Sequence, residues 1–115
     1  MIPIKFGIID EFDMKKQYIT YEPQKYNCIT IDDNLYIEDW WSELTKMKTY
    51  FSSLNKPNVA LSRAGITLIP PESLPLFESI VSNDNRINMD DNLKKLLKSI
   101  RKAKLENKYM IHFGF

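Results

Sequence analysis

The chain has 115 residues, 43% of them hydrophobic and 12% aromatic, with a formal net charge of +1. This size fits one domain over residues 1–115 with a core of its own, and apolar residues in periodic blocks argue against disorder. Cys28 is the one cysteine, which excludes an internal disulfide framework; no apolar run is long enough for a membrane span, and the N-terminal residues lack the pattern of a signal peptide, so a cytoplasmic protein is expected.

Residues 2–9 alternate, with Ile2, Ile4, Phe6 and Ile8 on one side, and predict a strand with one buried face. Residues 10–25 are polar and read as a loop with room for one helical turn. Residues 26–31 are rich in strand formers and predict a second strand. Asp32, Asp33 and Asn34 then offer N-cap chemistry, and Glu38 and Asp39 suit the positive end of a helix dipole. Ile37, Trp40, Trp41, Leu44, Met47, Phe51 and Leu54 follow at spacings of three and four. That pattern predicts a helix from about 34 to 54, with both tryptophans in the core.

Residues 59–64 fit either a helical turn closed by Gly65 or a strand pairing with 66–69, and the turn is preferred because Arg63 and Ala64 are weak hairpin-turn residues. Residues 66–69 predict a third strand, stopped by Pro70 and Pro71. Ser73 can cap the next helix, with Pro75 tolerated in its first turn. Asp90 or Asp91 caps a third helix, with Leu93, Leu96, Leu97, Ile100 and Ala103 on one face and lysines on the other. Residues 109–113 form a last strand. The expected fold is α+β: about a four-stranded sheet with three helices packed on it, in the order β-β-α-β-α-α-β.

Catalytic residues are sparse. His112 is the one histidine, and a lone strand histidine suits a structural role. Cys28 has no adjacent basic residue to activate it. The glycines are isolated, so no phosphate loop exists, and metal-ligand spacing is missing. Asp10, Glu11 and Asp13 follow the first strand, as Asp32 and Asp33 follow the second. Parallel neighbouring strands would bring these acids together in a Mg²⁺-type site, while caps and solvated loop acids explain them more simply. No enzyme, cofactor or metal is expected.

Charge is unevenly placed. Residues 1–45 carry four lysines against nine acids, while residues 92–108 carry seven basic residues and one acid, Glu106. Each patch serves as a solvated face, and each could also steer a charged partner. The basic helix, residues 92–104, is the ground for an alternative reading as a small nucleic-acid-binding module, although it lacks aromatics for base stacking.

Lys5 to Asp10, Tyr21 to Cys28, Asp32-Asp33, Lys48 to Phe51, Gly65 to Leu74 and the ending His112-Phe113-Gly114 resemble standalone immunity proteins of bacterial polymorphic-toxin and contact-dependent growth inhibition systems. The resemblance implies a protein that binds and neutralises a cognate toxin domain, such as a nuclease. It transfers no functional residue. A basic toxin would meet the acidic residues Asp10, Glu11, Asp13, Asp32, Asp33, Glu38 and Asp39, which are the candidate partner-binding residues.

Overall fold

The computed structural model describes residues 2–114. In β1 (Pro3–Ile9), Ile4 and Phe6 are buried on one face and Gly7 and Ile9 turn to the other, because successive residues of an extended strand face opposite ways. The chain then wanders to residue 28, with one 3-10 turn at Pro23–Tyr26, before β2 (Ile29–Asp32) pairs antiparallel with β1, Asp32 opposite Pro3. Asp32 caps α1 (Asp33–Leu44), its carboxylate accepting from the Asn34 amide at 3.0 Å.

The helix predicted to run to 54 stops at Leu44. Lys48–Phe51 form β3 and Pro57–Val59 form β4, an antiparallel hairpin. Met47, Phe51 and Leu54 keep helical spacing, but Thr49, Tyr50 and Phe51 are β-branched and aromatic and favour a pleated surface. Thr49 is fully buried and donates its hydroxyl to the Ala60 carbonyl at 2.8 Å. Of residues 59–64, Val59 ends β4 and pairs with Lys48 rather than with 66–69, and residues 60–64 form neither expected structure; Ala60 and Gly65 take positive φ, +60° and +96°, and lead into β5 (Ile66–Ile69).

A 3-10 turn at Pro71–Ser73 precedes α2 (Leu74–Ser82). Ser73 makes no cap; its hydroxyl donates to the Lys48 carbonyl at 2.6 Å. Asp90 does cap α3 (Asp91–Glu106), accepting from the amides of Asn92 and Leu93. Asn107, at φ +57°, closes that helix in the left-handed conformation and β6 (Tyr109–Phe113) follows.

The sheet has six antiparallel strands in the order β2-β1-β6-β5-β3-β4, which corrects the expected four. The chain order is β-β-α-β-β-β-α-α-β. All three helices cover one face of the sheet, where Ile4, Phe6, Ile31, Ile69 and Met110 meet Leu44, Phe77, Leu96 and Ile100. The other face is covered by the irregular chain between β1 and β2. Phe12 stacks on Tyr109 with ring centroids 3.8 Å apart, and Tyr18, Tyr26 and Cys28 join Leu68, Ile111 and Phe113. The predicted loop is therefore a packing layer, with Phe12, Tyr18 and Tyr26 turned inward and Tyr21 left 61% exposed.

Gly7 makes the close approach of that layer possible. A Cβ there would lie 2.6 Å from the Tyr26 Cβ and 2.8 Å from the Tyr26 carbonyl oxygen.

Candidate functional site

Strand direction decides where the candidate acids go. Because β1 and β2 run antiparallel, Asp10 and Asp32 sit at opposite ends of β1, and the convergence that a Mg²⁺-type site needs does not occur. Among the described residues no group of three or more His, Cys, Asp or Glu is placed to hold a metal ion.

Asp10, Glu11 and Asp13 are exposed together beyond the end of β1. Asp10 pairs with Lys108 at 2.9 Å, and that ammonium holds its carboxyl below the usual range. Asp13 accepts from the Lys15 amide at 2.9 Å, a local turn bond.

At the other end, Asp32 is spent on the helix cap and on the Ile2 amide. Asp33 is buried and ion-paired with Arg63. Burying a carboxylate is costly without a partner, so the pair is a structural clamp between the helix start and residues 60–65. Glu38 and Asp39 are exposed on the outer face of α1.

That outer face holds the strongest recognition features. The spacing that buries Tyr36, Ile37, Trp40 and Leu44 turns Leu35, Glu38, Asp39, Trp41, Ser42 and Glu43 outward. Trp41 is 40% exposed and Leu35 51% exposed. The expectation of two core tryptophans therefore holds for Trp40 alone; two adjacent residues are separated by about 100° around a helix, and the buried arc is too narrow for both. Trp41 flanks a hollow shared with Glu38 and Arg63. Glu38 has no ion-pair partner among the described residues, and α1 contains four acids and no base.

On the other flank of α1, Asp39 and Glu43 form one wall of a groove of about 520 Å³ floored by Leu76 and Ile80. Arg86 closes its end. The guanidinium forks onto the Asp84 carboxylate at 2.9 and 2.7 Å, reaches Asp39 at 3.1 Å, donates to the Leu35 carbonyl at 2.8 Å and lies 4.5 Å over the Tyr36 ring. Asp84 also accepts from the Trp40 indole at 2.9 Å. The Tyr36 hydroxyl donates to Asp90, and burial with that neighbouring carboxylate pushes the phenol up to about 12. This network fixes α1 against the α2–α3 turn. Sequence analysis assigned no role to residues 82–86 and missed it. The signal available was Arg86 directly after Asp84-Asn85.

His112 lies on the helix-facing side of β6, opposite Phe6 and Thr67, and is 1% exposed. Its ring packs tilted against Phe6 with centroids 4.9 Å apart, and burial alone lowers its pKa to about 3. It is a neutral core residue. Cys28 sits just before β2 and not within it, and burial pushes its thiol up to about 11, away from thiolate chemistry.

No helix among the described residues is long and apolar enough to cross a membrane. No family model, curated protein or solved structure matches the chain.

Proposed function

We propose that this chain is a binding protein of the immunity class, which captures a positively charged toxin domain such as a nuclease through the outer face of α1. The observation that carries this reading is Trp41: a large ring left 40% exposed beside an unpaired Glu38 on an all-acidic helix. Partly exposed tryptophans are favoured anchors of protein interfaces, and surrounding carboxylates steer a basic partner and exclude wrong ones. The groove behind Asp39 and Glu43 offers a second anchor point for a partner's lysine or arginine. Of the candidate acids, Glu38 and Asp39 belong to this face. Asp10, Glu11 and Asp13 lie beyond the opposite end of β1, and Asp32 and Asp33 serve the fold.

The test is binding of the purified chain to the toxin domain encoded beside its gene, together with protection of cells expressing that toxin. Trp41→Ala should lower affinity by about tenfold or more, as central aromatic anchors do. Glu38→Lys should slow association most at low salt, where screening is weakest. Unaltered binding and protection by both variants would move the interface off α1.

A further inference from the structure

A second concave site shares no lining residue with the hollows beside α1. It is a hollow of about 330 Å³ between α3 and the Tyr26-Asn27 turn. Ile8 and Ile29 form its apolar floor, the Tyr26 side one wall, and Lys95, Lys98 and Lys102 the other. Spacings of three and four place those lysines on one stripe of α3, about 10 Å from first to last at 1.5 Å per residue. None of the three makes an ion pair with the described residues, whereas their neighbours Arg101 and Lys104 are both engaged by Glu78. Lys25 adds a fourth cation at the rim, paired to Glu22 at 3.0 Å. The single acid in the hollow, Asp10, is already matched by Lys108.

The wall opposite the lysines is rigid. Asn27 sits in the left-handed region at φ +50°, Tyr26 packs on Phe113 with centroids 6.0 Å apart, and the turn lies against the bare Cα of Gly7. A preformed hollow of this kind loses little order when it is filled.

We infer that this hollow binds a nucleotide carrying at least two phosphates. Each lysine ammonium offers three donors and no acceptor, so three unpaired ammonium groups in a row select a compact, multiply charged, oxygen-rich anion. Phosphate groups meet that demand, and lysine holds them as a point charge. The Ile8 and Ile29 floor accepts a flat, weakly polar body of base size, while the Tyr26 ring itself packs on Phe113 on the other face of the sheet, and the volume matches small-molecule sites. An acidic peptide fits less well, because the stripe spans only about three residues of extended backbone at about 3.3 Å each, and alternate side chains face away, so fewer charges reach the lysines than a diphosphate brings. The site is independent of the α1 face, and its test is independent of toxin binding.

The experiment is calorimetric titration of the purified chain with ADP at low salt, with pyrophosphate, adenosine and a single-stranded twelve-nucleotide DNA as comparison probes. Saturable binding of one ADP is expected, with pyrophosphate and adenosine each about tenfold weaker, since each fills half of the site. Replacing Lys95, Lys98 and Lys102 together by Gln should weaken ADP about tenfold or more while leaving the melting temperature in place, because all three are exposed. Lys98→Gln alone should give a partial loss in the same direction. Three results would overturn the inference. The first is no saturation with millimolar ADP. The second is equal ADP affinity in the triple variant. The third is tighter binding of the DNA than of ADP with a steep salt dependence, which would assign the lysines to a strand's backbone.

Discussion

The Trp40 indole donates to the Asp84 carboxylate across 2.9 Å, and this bond ties α1 to the turn between α2 and α3. The same carboxylate receives both prongs of Arg86. One carboxylate, its side chain only 4% exposed, therefore organises a tryptophan, an arginine and, through that arginine, Asp39 and Tyr36.

Asp84→Asn should destabilise the protein by about 1–3 kcal/mol, because the charge-assisted fork is lost while Arg86 and Trp40 keep their donors. The Arg86 hydrogen bonds come first in holding the Asp84 carboxyl down at about 2. Its contribution to stability is thus complete above the ordinary carboxyl value of 3.8 and fades as pH falls toward 2. Urea denaturation of both proteins at pH 7 checks the magnitude. Matching midpoints would mean that the network is ornamental to stability.

Leu44 and Trp41 make a paired test of α1. Leu44 is fully buried, and Leu44→Ala should cost about 2–5 kcal/mol. Trp41→Ala should change stability by only about 0.5 kcal/mol, as surface substitutions do, while it weakens partner binding about tenfold or more. A large stability loss at Trp41 would recast it as a packing residue.

Gly7→Ala should destabilise by about 1–3 kcal/mol, the range for overpacking, since the new methyl meets the Tyr26 backbone and Cβ and neither can rotate away. The loss should be accompanied by faster amide exchange in residues 10–28. A substitution that is neutral on both measures would show that the covering layer yields freely.

His112 sets a pH dependence of its own. The folded protein keeps the ring neutral down to about pH 3, while the unfolded chain protonates it below about 6.5. Stability is therefore full above pH 6.5 and falls as the pH drops through the window, by up to about 1.4 kcal/mol per pH unit. Between pH 6.5 and 4.5 this is the one side chain of its type available to titrate. His112→Leu should abolish the slope there, and a slope retained in that variant would assign it to other groups.

What could be read from sequence was whatever is local. Asp32 and Asp90 announce helix starts because a cap involves neighbours two and three residues on. The alternation of β1 and the apolar stripe of α3 are equally local. Lys48 to Phe51 misled, because Met47, Phe51 and Leu54 satisfy a helical period while the backbone makes a hairpin; that choice depends on β5, which Tyr50 and Phe51 reach from across the sheet. The candidate acids were legible as a charge imbalance but not as a surface, since their positions depend on the direction in which β2 returns along β1. Trp41 was visible as a residue and hidden as a site, because the width of a helix's buried arc is set by what packs against it. The aromatics of residues 12–26 looked like loop residues, as nothing nearby in sequence marks the sheet face they cover.

β6 lies between β1 and β5 and is the join between two sets of strands, β2-β1 on one side and β5-β3-β4 on the other. It is also the last of these strands to be synthesised. Lys5 pairs with Phe113 across more than a hundred residues of chain, a separation that makes closure slow. While the ribosome still holds residues 109–113, β1 and β5 each present an unpaired edge, and both sheet halves expose sticky ladders to neighbouring chains. Nascent chains paused before Tyr109 should therefore depend on chaperone protection, which release of β6 ends in a single step.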